Sequence, residues 1–178
     1  QDIMVLEIID DVEKDRPVYF AVTVSPSNRM SLDPYLEMEG LVYRITHNKS
    51  EEGQLSPRLN YDKMKSNITQ TSNSDFIVKT PEDYETHFSN NEGLYRYTNL
   101  NNDEVYFSSN IQRLIQNYRS GFLQLALDDL YSSNNDGKSR TVDLLSKMDE
   151  YFPISVIPVS DPELDIQIGR IYNQAGVP

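Results

Sequence analysis

Apolar residues recur along the chain with two different periods, and the change of period divides it. Over 2–12 the stripe Val5, Ile8, Ile9 and Val12 has helical spacing, and Ile3, Met4 and Leu6 make other faces apolar too, so a well-buried helix is predicted. The run 10–16, rich in Asp, Glu, Lys and Arg, is a polar connection. From Val18 the period becomes two: Val18, Phe20, Val22 and Val24 alternate with Tyr19, Ala21 and Thr23, predicting a strand over 18–24. Ser25, Pro26, Ser27 and Asn28 are turn formers; a short helical piece over 32–38 follows, and Gly40 releases the chain into a second strand over 41–45.

The segment 47–57 is polar and aperiodic and is expected to be a mobile surface loop. Asn60 suits the cap of a short helix through Ile68 with Tyr61, Met64 and Ile68 on one side. A brief strand over 76–78 and a helix from the Thr80-Pro81-Glu82-Asp83 capping box to about His87 are expected next. Leu94, Tyr95 and Tyr97 then fall in an irregular packing segment. From Ser108 the helical period dominates. Ile111, Leu114, Ile115, Tyr118, Phe122, Leu125 and Ala126 give the strongest signal, for a helix over 110–133. A second helix over 139–152 turns Val142, Leu145, Met148 and Phe152 inward and stops at Pro153. A third runs from the capping box Ser160-Asp161-Pro162-Glu163 to Gly176, whose position suits a glycine cap. The predicted class is therefore α+β: a small sheet with flanking helices in 1–107, then a helical hairpin plus one helix in 108–178. Ile168-Gly169-Arg170-Ile171-Tyr172 fits the Leu-Gly-x-x-Tyr core of a tetratricopeptide repeat, in which the small residue admits the paired helix; a generic three-helix cap explains the same spacing.

Composition narrows the function classes. With 28 acidic and 16 basic residues the net charge is −12, which repels nucleic acid and anionic lipid surfaces. The absence of cysteine excludes disulfides, thiolate catalysis and zinc-thiolate sites. Apolar runs are no longer than strands, so no membrane insertion by this stretch is expected. The chain opens at Gln1 inside a helical pattern, as a piece of a longer protein would.

The candidate chemistry is sparse. A calcium loop over 132–143 would need an acid where Ser132 stands and a bidentate Glu where Asp143 stands, and a plain interhelical turn accounts for Asn134, Asp136 and Gly137. His47 and His87 lack neighbouring ligands, and adjacent acids such as Asp10/Asp11, Glu51/Glu52 and Asp128/Asp129 diverge on a helix. Neither a nucleophile elbow nor a phosphate-cradling glycine loop occurs. Asn48-Lys49-Ser50 and Asn67-Ile68-Thr69 are formal N-glycosylation acceptors that would matter only in a secretory lumen. No catalytic, cofactor or metal residue is assigned; the one surface set with sugar-binding chemistry is Tyr95 and Tyr97 with Asp103 and Glu104.

The segment 16–45 resembles part of a family of bacterial multipass membrane proteins similar to animal protein O-mannosyltransferases. The resemblance lies in Arg16, Pro17, Val18, Tyr19, Phe20 and Ala21, followed by Leu32, Tyr35, Leu36, Glu39, Gly40, Leu41, Tyr43 and Arg44. Asn110, Tyr118, Arg119, Phe122 and Ala126 in the long helix resemble that family's tetratricopeptide-like end. The resemblance implies a non-catalytic C-terminal accessory domain on the periplasmic face of a bacterial inner membrane. There it would serve protein interaction or acceptor positioning for a membrane-embedded glycosyltransferase whose catalytic acid lies in the membrane part. Implied partners are that membrane portion and exported acceptor proteins or peptides. A purely structural scaffold and a carbohydrate-binding domain are the alternatives.

Overall fold

The computed structural model describes residues 2–12, 16–51, 53, 57–69, 95, 97–132 and 136–176. It is an α+β protein made of two compact units, Gln1–Met64 and Lys65–Pro178. The division falls inside a helix, and the change of character expected at 107/108 lies within the second unit.

In the first unit, helix α1 (Asp2–Val12) precedes strands β1 (Tyr19–Ala21), β2 (Leu36–Met38), β3 (Val42–Ile45) and β4 (Arg58–Leu59). The sheet order is β1-β3-β2-β4. Strand β3 pairs antiparallel with both neighbours, Phe20 opposite Tyr43 on one side and Met38 opposite Tyr43 on the other, whereas β4 runs parallel to β2. The core is Ile9, Leu36 and Ile45, with Val5, Val18, Phe20, Met30, Leu32 and Tyr43 packed around them.

Several expectations change here. The helical piece over 32–38 is a 3-10 turn, Asp33–Tyr35, followed by strand β2, because the Thr46 amide and hydroxyl both donate to the Tyr35 carbonyl and draw the chain into the sheet. Strand β1 stops at Ala21, whose carbonyl accepts the Val24 amide and turns the chain. Within the loop expected to be mobile, Ser50 is buried, its amide and hydroxyl both donating to the Pro34 carbonyl. Strand β4 was not anticipated; two residues are too few for a period to show. Helix α1 is not well buried: Ile9 is, but Ile3, Met4, Leu6 and Ile8 are exposed.

Two features hold the loop between β1 and β2 and the hairpin after it. Arg29, 6% exposed, donates from Nε to the Val24 carbonyl (3.0 Å) and from Nη1 to Asp33 Oδ1 (2.7 Å), and lies 4.4 Å over the Tyr43 ring. The next two residues, Met30 and Ser31, both take positive φ. The β2–β3 hairpin turns at Gly40, where φ is 123°, a conformation other residues avoid.

Helix α2 (Tyr61–Thr69) starts as expected, with the Lys63 amide reaching Asn60 Oδ1. The second unit is dominated by α3 (Ser109–Tyr131), α4 (Gly137–Tyr151) and α5 (Pro162–Ala175), each packed on the other two. Their inward faces, among them Phe122, Leu125, Leu145, Met148, Ile168 and Ile171, form the core. This is the predicted hairpin plus one helix, with boundaries shifted by a residue or two. Asp161 caps α5 through the Glu163 amide, and Gly176 ends it at φ 88°. Gly169 does not admit a neighbouring helix, since a Cβ there would meet nothing within 4 Å. The close approach occurs at Gly137, where a Cβ would run into the Asp129 carbonyl. The predicted strand over 76–78 and helix over 80–87 lie outside the described residues.

Arg119 is the organising side chain of this unit. Fully buried on α3, it donates from Nη2 to the carbonyls of Phe152 (2.8 Å) and Ile157 (2.5 Å) and from Nη1 to Gln116 Oε1 (3.0 Å). Its charge meets the negative end of α4 and the loop that follows, and burial pulls its pKa down. Replacing Arg119 by Met keeps the volume but strips two buried carbonyls of their donor. Urea denaturation of R119M should show a loss of about 3 kcal/mol, and G137A a loss of about 2 kcal/mol from overpacking.

Candidate interaction surface

The residues with sugar-binding chemistry in the sequence differ in burial. Tyr97 is buried (7% exposed) rather than on the surface, and its hydroxyl donates to the Ile68 carbonyl at 2.9 Å. Its ring stacks on Tyr151 (centroids 4.7 Å, 26°) and meets Tyr118 and Phe152 edge to face at 5.6 Å. Burial, with the neighbouring tyrosines, raises the Tyr97 pKa far above its ordinary value. Tyr95 remains partly exposed and meets Tyr118 edge to face at 5.4 Å. Asp103 and Glu104 are exposed in the loop before α3, where the Asn102 side chain accepts the Glu104 amide.

What periodicity did not reveal is the end of the α3 stripe. Ile111 and Leu114 share the face that carries Tyr118, Phe122 and Leu125, and both were expected inside; they are 42% and 52% exposed. The cause is length. At about 1.5 Å per residue, the 23 residues of α3 outrun the 15 of α4 and the 14 of α5. In the antiparallel hairpin Arg119 donates to the Phe152 carbonyl, which puts residue 119 of α3 beside the C-terminal end of α4 and leaves the first turns of α3 beyond it. Val105 and Tyr106, the latter 88% exposed, directly precede this overhang.

A second feature is a cavity of about 430 Å³ lined by Lys65, Thr69, Arg140, Asp143, Lys147 and Glu150. Its charges are of both signs, and Arg140 is committed to Asp129 through Nε at 2.6 Å. Such a lining favours a polar, net-neutral occupant over an anion. Among the described residues no group of three or more His, Asp or Glu could hold a metal ion, and no helix is long and apolar enough to cross a membrane. Of the two glycosylation tripeptides, Asn48 lies exposed, whereas Thr69 is buried with its hydroxyl on the Lys65 carbonyl.

Residues 1–67 match the family model described as TMEM260-associated domain 2, a family linked to TMEM260, an animal protein O-mannosyltransferase-like protein. No curated protein and no solved structure matches the chain. The matched residues include the whole segment 16–45, and the structure gives those side chains mechanical work. Glu39, buried beside the Gly40 turn, accepts Lys63 Nζ at 2.9 Å and faces Arg44 at 3.7 Å; Glu37 accepts Arg58 at 2.9 Å.

Tyr97→Phe should lower stability by about 1 kcal/mol through loss of one buried hydrogen bond. The pH dependence separates this from a packing defect. Because the folded pKa of Tyr97 lies above the unfolded value near 10, its contribution is complete below that pH and is lost as pH rises beyond it. Thermal melts of Y97F from pH 8 upward should therefore converge on those of the parent in alkali.

Proposed function

We propose that this chain is a non-catalytic accessory domain on the extracytoplasmic face of a membrane-embedded, O-mannosyltransferase-like protein, where it positions acceptor chains or mediates protein interaction. In a bacterium that face is the periplasm. The match of residues 1–67 to a TMEM260-associated domain carries the reading. Two observations support an interaction role: apolar side chains stand exposed along α1, and the apolar stripe of α3 continues past its helical neighbours. Both are the kind of surface that proteins use for partners. The partners this reading implies are the membrane portion of the parent protein and exported polypeptides. A tetratricopeptide-like use of the helical hairpin belongs to the same proposal.

The chain has no cysteine, so one introduced at an exposed position reports its compartment cleanly. Asp103→Cys in a full-length parent whose other cysteines are replaced by serine should react with a membrane-impermeant maleimide added to intact cells. Labelling only after the membrane is permeabilised would overturn the extracytoplasmic placement. In the same parent, deleting 1–178 should abolish sugar transfer to a protein acceptor while leaving the membrane portion inserted. Unchanged transfer would leave a scaffold role as the reading.

A further inference from the structure

We propose that the overhanging N-terminal end of α3 is a docking site for a short, basic and apolar polypeptide segment. This deepens the accessory-domain reading, on which it rests only for the origin of the segment, an exported chain. Four large apolar side chains, Val105, Tyr106, Ile111 and Leu114, are exposed within ten residues of one another. Ile111 and Leu114 are the continuation of the core stripe, two turns and one turn beyond the half-buried Tyr118, against which Tyr95 sets its ring. An apolar stripe that emerges from a core on a preformed helix costs no backbone ordering of its own on binding. The overhang is about eight residues, roughly 12 Å at the helical rise, and accommodates about four residues of extended chain.

Charge selects the occupant. Asp103 and Glu104 are exposed immediately before Val105, and the chain as a whole carries −12. A second copy would bring two such acidic loops together, and an anionic lipid surface would be repelled. A segment with apolar anchors flanked by Lys or Arg satisfies both the stripe and the loop.

The test uses the 178-residue chain and two fluorescein-labelled peptides, both with Leu and Phe anchors among Ser and Thr, flanked in one by Lys and in the other by Glu. Fluorescence anisotropy should show the Lys peptide binding at least about tenfold more tightly, a difference of 1.4 kcal/mol. The double variant I111S/L114S should lose that binding by at least about tenfold at unchanged melting temperature, since both positions are exposed. D103N/E104Q should weaken it about threefold and flatten its salt dependence. Equal binding of the two peptides, no binding of either, or binding indifferent to I111S/L114S would overturn the proposal. So would sedimentation showing a dimer that I111S/L114S dissociates, which would make a second copy the occupant. Peptide binding is independent of the maleimide result, so the docking site and the extracytoplasmic placement fail separately.

Discussion

Each unit depends on a buried guanidinium that gathers partners from separate parts of the chain. A chain that turns sharply leaves peptide oxygens without partners, and in a small fold few of them reach water. Arg29 gathers the Val24 carbonyl, Asp33 and the face of Tyr43, and so holds the loop between β1 and β2 through two successive residues of positive φ. Arg119 gathers the carbonyls of Phe152 and Ile157, the first at the end of α4 and the second in the loop that leads to α5. In both cases five fixed donors in one plane do what a lysine's point charge would not. The cost of burying the charge is offset for Arg29 by the Asp33 carboxylate and the Tyr43 ring, and for Arg119 by two converging carbonyls at a helix C-terminus.

The same constraint explains the family-like segment. Glu39-Gly40-Leu41 is the turn of a hairpin, and Tyr43 and Arg44 are the second and third residues of β3 past it. Tyr43 carries Arg29 on its ring, while Glu39 brings Lys63 from α2 onto the sheet edge. At this spacing the turn, the cation and the aromatic ring meet in the fold.

The proposed docking surface follows from where burial stops. Along α3 the apolar face is continuous in sequence, but the core it meets is as long as α4 and α5 allow. The two turns left over present Ile111 and Leu114 beside an acidic loop, and the aromatic cluster of Tyr97, Tyr118, Tyr151 and Phe152 makes the base of that overhang stiff.

Periodicity and local capping residues suffice for the α+β class, the three C-terminal helices and their ends. Helical periodicity over 23 residues is hard to mistake, and Asp161 and Gly176 act through purely local hydrogen bonding and φ. Gly40 was legible for the same reason. Only the tertiary structure decided the rest. Strands of two to four residues are made by their neighbours rather than by their own period, so β2 reads as helix and β4 does not read at all. Tyr95 and Tyr97 are alike in sequence, and only packing buries one and leaves the other at the surface. An arginine looks solvated until carbonyls from distant residues converge on it, and an apolar stripe looks buried until its partners prove shorter than it is. Both are properties of what meets a residue across the fold, which a one-dimensional pattern does not contain.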